Sequence, residues 1–374
     1  MTDSDAYGSR IMRRLNKYLI GNAIRLLLIC ELAGIIIFTM IDFFDHLDIF
    51  TKTFSKFALG MGYVALNIPN NFNLLLPLAF LISILVLIVM MIRGNEVIII
   101  RTAGISTFSL MKPLLAFSLV LVALSFSLSE WVIPYTSSSA EYVLSVRIKE
   151  DPTYVVFKND KIWFKRGNRI CNIDFYDVKK DEIRGLTVLE LSDTYSVQKR
   201  YDAKTGVWEG DEKKGQWIFT DVVERTFKND GIESRTVYKT MAGLIAEPPS
   251  LFKIVDKNPE EMSYRELERY MTKLKRNGHD VRRYMVDLDN KVAFPFINII
   301  MVLAGFSVGL RYSKTKNVSK GIFSGICVGF SYWGFDSIAL SLGYKEAFPP
   351  LFAAWLSNML FFSLGIIGIV TVKT

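Results

Sequence analysis

NLLLPLAFLISILVLIVMMI, residues 73–92, holds no charge and decides the class of the fold. A hydrocarbon core about 30 Å thick takes roughly twenty apolar residues in a helix, and this stretch is that long. Working outward, Pro113 to Ser129, Val292 to Leu310 and Ala347 to Val372 are also free of charge. Between Arg147 and Lys291, by contrast, no uncharged run exceeds seven residues. The 374 residues are 51% apolar and 22% charged, with a mean hydropathy of +0.27. A soluble domain with that charge averages below zero, so the apolar residues are concentrated in spans. A wholly soluble protein is excluded.

Six spans are expected: Leu19 to Ile41, Asn73 to Ile92, Phe108 to Ser129, Val292 to Leu310, Gly321 to Leu342 and Pro350 to Val372. A signal peptide is a poor reading of the start, because no A-x-A-like site follows the first apolar run before Asp42 and Asp45. Basic residues cluster beside alternate loops: Arg10, Arg13, Arg14 and Lys17; then Arg93, Arg101 and Lys112; then Arg311, Lys314, Lys316 and Lys320. The positive-inside bias puts these clusters and both termini in the cytoplasm and the segment from Pro134 to Asn290 outside. The net charge of +8 is explained by this bias, so nucleic acid is not an expected partner.

The external segment reads as β-structure. TYVVFK, KIWFK, RICNIDFY, GLTVLEL, the Trp208 segment, QWIFTDVVERTF and SRTVYK are short β-type runs. Turn signals separate them, at Asn159-Asp160, Gly167-Asn168, Thr205-Gly206 and Asn229-Asp230-Gly231. Runs so spaced predict a sandwich or jelly roll, with Trp163, Trp208 and Trp217 as core anchors. Beyond Pro248 and Pro249 the period becomes helical. Ser263 with Glu266 is a capping box, Tyr264, Leu267, Met271 and Leu274 form one stripe, and Gly278 is a stop. Val281, Tyr284, Met285 and Leu288 then lead into span four. The expected fold is membrane α+β, six transmembrane helices in a 3+3 arrangement around an inserted periplasmic β-jelly-roll or sandwich domain. Its divisions are 1–133, 134–262, connecting helices at 263–291, and 292–374.

Catalytic material is sparse. Three cysteines, Cys30, Cys171 and Cys327, leave no disulfide within the insert, and His46 and His279 lack metal-ligand spacing. The nearest match to a phosphate-binding loop, Gly210 to Gln216, has glutamine where the lysine belongs. No metal or cofactor is expected, and the chain is read as no enzyme by itself.

Three features stand out. Val97 to Ile100, in the loop Arg93–Gly104, are four β-branched apolar residues that do not suit water. Either they tuck into the membrane interface, or they dock in a groove of a cytoplasmic partner with Glu96 and Arg101 at the rim. Gly321, Gly325 and Gly329 recur at four-residue intervals, which lets helices approach closely. For this stripe the expectation is a lateral interface with a second membrane subunit, and for Gly305 and Gly309 ordinary packing within the chain. Arg25 and Glu31 lie inside span one, where charge is costly, and Asp42, Asp45 and His46 form a collar at its outer end.

The combination resembles the LptF/LptG family, permease subunits of the lipopolysaccharide export ABC transporter. The matching segments cover nearly the whole chain: GNEVIIIRTAGIS at 94–106, Glu130-Trp131-Val132-Ile133-Pro134, IWFKRGNRI at 162–170, SYRELERYMTKLKRNG at 263–278 and FPPLFAAWLSN at 348–358. Ile41-Asp42-Phe43-Phe44-Asp45-His46-Leu47 and the Glu-Trp-Val-x-Pro motif look more like LptG than LptF.

The resemblance implies a sister permease (LptF-like), two copies of a cytoplasmic ATPase (LptB-like) that alone binds ATP, and LptC-like and LptA-like jelly-roll proteins. Lipopolysaccharide is the implied cargo, entering from the outer leaflet of the bacterial inner membrane through gates formed by spans one and five. Residues 93–106 become a coupling helix, with Arg93, Glu96, Val97, Ile98, Ile100 and Arg101 as its contacts. Arg25, Glu31, Asp42, Asp45, His46, Gly321, Gly325 and Gly329 become candidates for cavity or gate. Asp42 stands where some LptG members carry a lysine, so the phosphate-binding arrangement differs here. Two other readings remain. One is an ABC-type permease doing mechanical work on periplasmic partners, normally four-spanned. The other is a membrane-anchored sensor or scaffold, which the short cytoplasmic loops disfavour.

Overall fold

The computed structural model describes residues 3–149, 156–158, 161–177, 181–192, 196–210, 215–228, 231–249, 252, 259, 262–276, 280–311 and 318–371. They divide into a helical unit, 1–141 with 259–374, and a second unit, 142–258.

The helical unit opens with Asp3–Asp45 (α1), Leu47–Phe50 (α2), Phe54–Arg93 (α3), Glu96–Thr102 (α4) and Thr107–Ser127 (α5). A π turn, Leu128–Val132, joins α5 to Ile133–Tyr142 (α6). The extra residue of that turn precedes Pro134, whose ring would otherwise clash with a carbonyl one turn back. Helical backbone therefore runs past the expected end of span three, through a second π turn at Val143–Ile148. The return side holds Tyr264–Arg276 (α7), Arg282–Ala293 (α8), a 3₁₀ turn at Phe294–Phe296 around Pro295, Ile297–Arg311 (α9), Val318–Tyr344 (α10) and Pro350–Thr371 (α11).

Among the described residues five helices are long and apolar enough to cross a membrane: Met12–Asp45, Phe54–Arg93, Phe108–Ser145, Arg282–Arg311 and Pro350–Thr371. The expected fifth span is α10, whose 27 residues give about 40 Å at 1.5 Å each. Its serines, glycines and Asp336 dilute its apolar character.

α3 is the hub, packing against α1, α9 and α10. Phe80, Leu81, Ile84 and Leu85 are fully buried on it. Polar side chains pin the helices to one another, as hydrocarbon rewards. Ser125 Oγ donates to Asn73 Oδ1 at 2.6 Å. Tyr332 Oη donates to Asn358 Oδ1 at 2.7 Å, and Asn358 Nδ2 donates to the Ala293 carbonyl at 2.8 Å. The expected capping box is present. Glu266 N–H donates to Ser263 Oγ at 3.2 Å and Ser263 N–H to Glu266 Oε2 at 3.1 Å.

The second unit holds Val156–Lys158 (β1), Lys161–Arg166 (β2), Arg169–Asp177 (β3), Glu182–Leu191 (β4), Val197–Glu209 (β5), Gln216–Lys228 (β6) and Gly231–Ala242 (β7). All neighbours pair antiparallel in sequence order, giving one seven-stranded sheet. β3 and β6 lie three strand spacings apart, about 14 Å if the sheet were flat. The Tyr176 and Trp217 rings nevertheless sit 6.4 Å apart, with Phe252 at 5.6 and 6.1 Å from them. The roll is thus one curled sheet closing on its concave face.

Two expectations are corrected here. Trp163 is outward and 37% exposed, because Ile162 and Phe164 take the inward positions and alternation leaves it none. Trp217 is fully buried and Trp208 partly so, as expected. Thr205-Gly206 is no turn but the middle of β5, where the Phe219 ring fills the space a Cβ at Gly206 would need. Asn229, Asp230, Gly278 and His279 lie outside the described residues.

Candidate functional site

The loop between the second and third spans folds as a short helix set off by two turns. Arg93 ends α3, exposed, and Asn95 adopts a left-handed conformation (φ 56°) that its side chain tolerates. Gly104 (φ 79°) closes α4, and Ser106 caps α5 by accepting from the Ser109 N–H at 3.3 Å.

Within α4 the four apolar residues split by helical period. Val97, 6% exposed, belongs to the core shared with α1, α3 and α5, and Ile100 packs against it. Ile98 and Ile99 point away, 58% and 63% exposed. Neither the membrane interface nor a partner groove takes all of Val97 to Ile100: the chain's own helices bury one pair and leave the other pair outward. Glu96 is half-buried, and Tyr18 Oη stands 3.0 Å from both of its carboxylate oxygens. Tyr18 escaped the sequence reading, and Ile99 entered it only as part of the run Val97 to Ile100. The Tyr18 contact spans 78 positions with no local signal, whereas the i, i+3 spacing of Val97 and Ile100 already marks Ile99 as outward. The Arg101 side chain lies outside the described residues.

On α1, Arg25 is exposed and Glu31 is 3% exposed. Both Glu31 carboxylate oxygens are buried without a hydrogen-bond partner among the described residues. The collar at the end of α1 is tied inward. Asn71 Nδ2 donates to Asp42 Oδ2 at 2.9 Å, and His46 Nδ1 lies 3.1 Å from the Asp42 carbonyl oxygen. His46 stacks on Phe50 at 5.6 Å, beside Tyr63 at 5.3 Å, and only Asp45 of the three is exposed.

The glycine stripe corrects an expectation. Gly321, Gly325 and Gly329 are buried. A Cβ at Gly325 would collide with Leu85, and one at Gly329 would meet Leu78 at 2.8 Å and Leu81 at 3.1 Å. The close approach is to α3 of the same chain, not to a second subunit. Gly305 and Gly309 pack within the chain as expected, against Ile84 and Ile88. The outward apolar residues of α10 include Phe323, Phe330 and Ile338, and those of α1 include Leu28, Leu32 and Ile36.

Glu130, in the π turn, reaches the start of α7. Its Oε2 accepts from the Tyr264 N–H at 2.8 Å, and Arg265 Nε is 3.6 Å from Oε1. A carboxylate at a helix N-terminus satisfies a free N–H and complements the dipole. Glu-Trp-Val-Ile-Pro thereby fastens the third span to the helix that precedes the fourth.

In the sheet unit, several charges are paired. Arg166 Nη1 donates to the buried Glu247 Oε1 at 2.7 Å, which holds the guanidinium pKa above its ordinary value. Burial pushes the Cys171 thiol up to about 12. No group of three or more His, Cys, Asp or Glu side chains that could hold a metal occurs among the described residues.

A family profile described as lipopolysaccharide export system permease LptF/LptG matches residues 17–370. Lipopolysaccharide export system permease protein LptG of Escherichia coli (strain K12) is 24% identical over 311 residues, 83% of this chain and 85% of that protein. The protein of the same name from Haemophilus influenzae (strain ATCC 51907 / DSM 11121 / KW20 / Rd) is 24% identical over 304 residues, 80% of this chain and 82% of the relative.

Proposed function

We propose, from the premise that the chain belongs to the LptF/LptG family of lipopolysaccharide export permeases, that it is the LptG-like half of an ATP-driven lipopolysaccharide extractor. It is a multi-pass inner-membrane transport subunit. In our reading its termini are cytoplasmic and its sheet unit periplasmic. ATP is bound and hydrolysed by two copies of a partner ATPase, and this chain performs no chemistry itself.

The observation that carries the coupling role is the division of α4. Val97 and Ile100 root it in the bundle, while Ile98 and Ile99 are presented outward beside Glu96. An apolar pair with an acidic rim suits a groove on a soluble partner. A push on such a helix passes into α1 and α3 through the core they share. The outward apolar faces of α1 and α10 suit a lipid-filled gate against a sister permease. Arg25, Glu31, Asp42, Asp45 and His46 then lie on the gate helix or at its end, and the sheet unit passes the lipid on to LptC-like and LptA-like proteins.

The test is purification of the tagged full chain from its native membrane in mild detergent, with mass spectrometry of what co-elutes. A soluble ATPase, a second permease of this family and bound lipopolysaccharide are expected. The chain eluting without an ATPase in several detergents would overturn the reading.

A further inference from the structure

The outer end of α10 stops in a way that its own residues make unfavourable. The Ala347 N–H donates to the Leu342 carbonyl at 2.9 Å and the Glu346 N–H to the Gly343 carbonyl at 3.1 Å. That paired closure puts one residue in the left-handed region, a position glycine fills with little strain. Here the residue is Glu346, at φ 63°. A carboxylate at this end of a helix also meets the negative pole of its dipole. Two penalties fall on one side chain, so something must offset them.

The offset comes from α8. Arg282 Nη1 donates to Glu346 Oε2, and both side chains are exposed. Tyr344 Oη donates to Asp287 Oδ1 at 2.5 Å, and the Arg283 guanidinium lies 5.7 Å from the centre of the Tyr344 ring. Beside them, a Cβ at Gly343 would meet Val286 of α8 at 3.1 Å and Ala353 of α11 at 2.6 Å.

All of these contacts lie toward α8 and α11. Toward α3 a cavity of about 420 Å³ intervenes, with Asn70, Asn73 and Leu74 on one wall and Trp333, Ser337 and Leu340 on another. Farther in, Gly325 and Gly329 seat α10 on the leucines of α3. The outer third of α10 is therefore held from the side of α8 and α11.

We propose that Tyr344 and Glu346 form a latch that fastens the outer end of α10 to Arg282, Arg283 and Asp287 of α8, and that its release frees the outer third of the helix. That release opens a lateral gate toward the outer leaflet rests on the export function proposed above; the latch itself does not. An ion pair in water holds weakly enough to let go within a working cycle. A glycine at position 346 would end the helix with less strain but would hold nothing.

The test reads release directly. Ala339, 1% exposed on the outer third of α10, is replaced by cysteine in the full chain. Its reaction with a water-soluble maleimide in detergent is followed by peptide mass. Arg282→Ala and Glu346→Gly are each expected to speed labelling by up to about fivefold, the upper scale for one exposed ion pair. The swap of Arg282→Glu with Glu346→Arg is expected to return the rate close to that of the parent. Glu346→Gly makes the sharper case, because it removes both penalties and should leave the melting temperature unchanged or raised while labelling still quickens. Tyr344→Phe, which keeps the ring under Arg283 and loses only the bond to Asp287, gives a conservative second reading, with a smaller rise expected. Unchanged labelling in Arg282→Ala and Glu346→Gly, or a swap that melts normally without restoring the slow rate, would overturn the latch. Neither ATPase nor cargo enters this measurement, so a failure of the export reading shows separately, as labelling that responds in a chain that transfers no lipopolysaccharide.

Discussion

The two units of this chain treat buried charge in opposite ways. In the sheet unit, Glu247 is 2% exposed and fully served: Arg166 meets one carboxylate oxygen at 2.7 Å and the Ala246 N–H meets the other at 3.1 Å. Its backbone carbonyl accepts from Trp217 Nε1 at 2.7 Å. In the helical unit, Glu31 is 3% exposed and neither carboxylate oxygen finds a partner among the described residues. A satisfied buried charge is part of a scaffold, and an unsatisfied one inside a membrane span is costly and marks function. The difference separates a unit built to hold a shape from one built to move something.

Four experiments sharpen or break that contrast. The largest effect is expected from Trp217→Ala, which removes the fully buried ring joining Trp208, Phe219, Tyr176 and Phe252. A loss of about 3–5 kcal/mol is the scale of such truncations, read as early melting of the sheet unit by circular dichroism of the full chain. A melt indistinguishable from wild type would mean the roll is not organised around this residue.

Next, Arg166→Ala strands the Glu247 carboxylate and is expected to cost on the order of 1–3 kcal/mol. Glu31→Gln, by the same logic, leaves the melting temperature unchanged or raised while lowering lipopolysaccharide transfer. If Glu31→Gln destabilised the chain as much as Arg166→Ala, the two carboxylates would be equivalent and the contrast would fail.

A further effect appears only at alkaline pH and is absent at neutral pH. The Cys171 thiol is pushed up to about 12 from 9.0, first by burial and then by the nearby Glu247 carboxylate. A group raised in the folded state contributes stability that is full below its unfolded value and lost as pH climbs through the folded one. The sheet unit therefore loses stability between about pH 9 and 12, and Cys171→Ala flattens that slope. Maleimide at pH 8 should leave Cys171 unmodified until unfolding, whereas the exposed Cys327 labels freely, and rapid labelling at Cys171 itself, read by peptide mass, would contradict its burial.

The smallest effect belongs to Tyr18→Phe, which removes the hydroxyl shared by the two Glu96 oxygens. About 1 kcal/mol or less of stability is expected, with a larger effect on ATPase coupling in the assembled transporter. Coupling identical to wild type would make Tyr18 a bystander.

Much of this architecture is legible in the residues alone, for physical reasons. Charge-free runs of span length locate the membrane helices, and β-type runs between turn signals locate the seven strands. Ser263 and Glu266 announce a helix start by a local reciprocal bond. What escapes is whatever depends on a partner distant in sequence. The Gly325 and Gly329 stripe reports that something comes close but not what, and the answer is α3. Trp163 faces out because Ile162 and Phe164 win the inward parity, and either parity reads as a strand. Gly206 reads as a turn until Phe219 is seen lying over it across the sheet. The Tyr18–Glu96 bond and the orphaned Glu31 belong to the same class, since burial of a polar group is decided by the neighbours the fold brings.

The most direct test is ATP-dependent transfer of lipopolysaccharide from proteoliposomes holding this chain with its co-purified partners, comparing wild type with Glu96→Ala and Ile99→Asp. The account predicts transfer in wild type and background in both variants, with the sheet unit melting at its normal temperature. Full ATP-driven transfer in both variants would contradict the assignment of α4 as the helix that takes up the ATPase stroke.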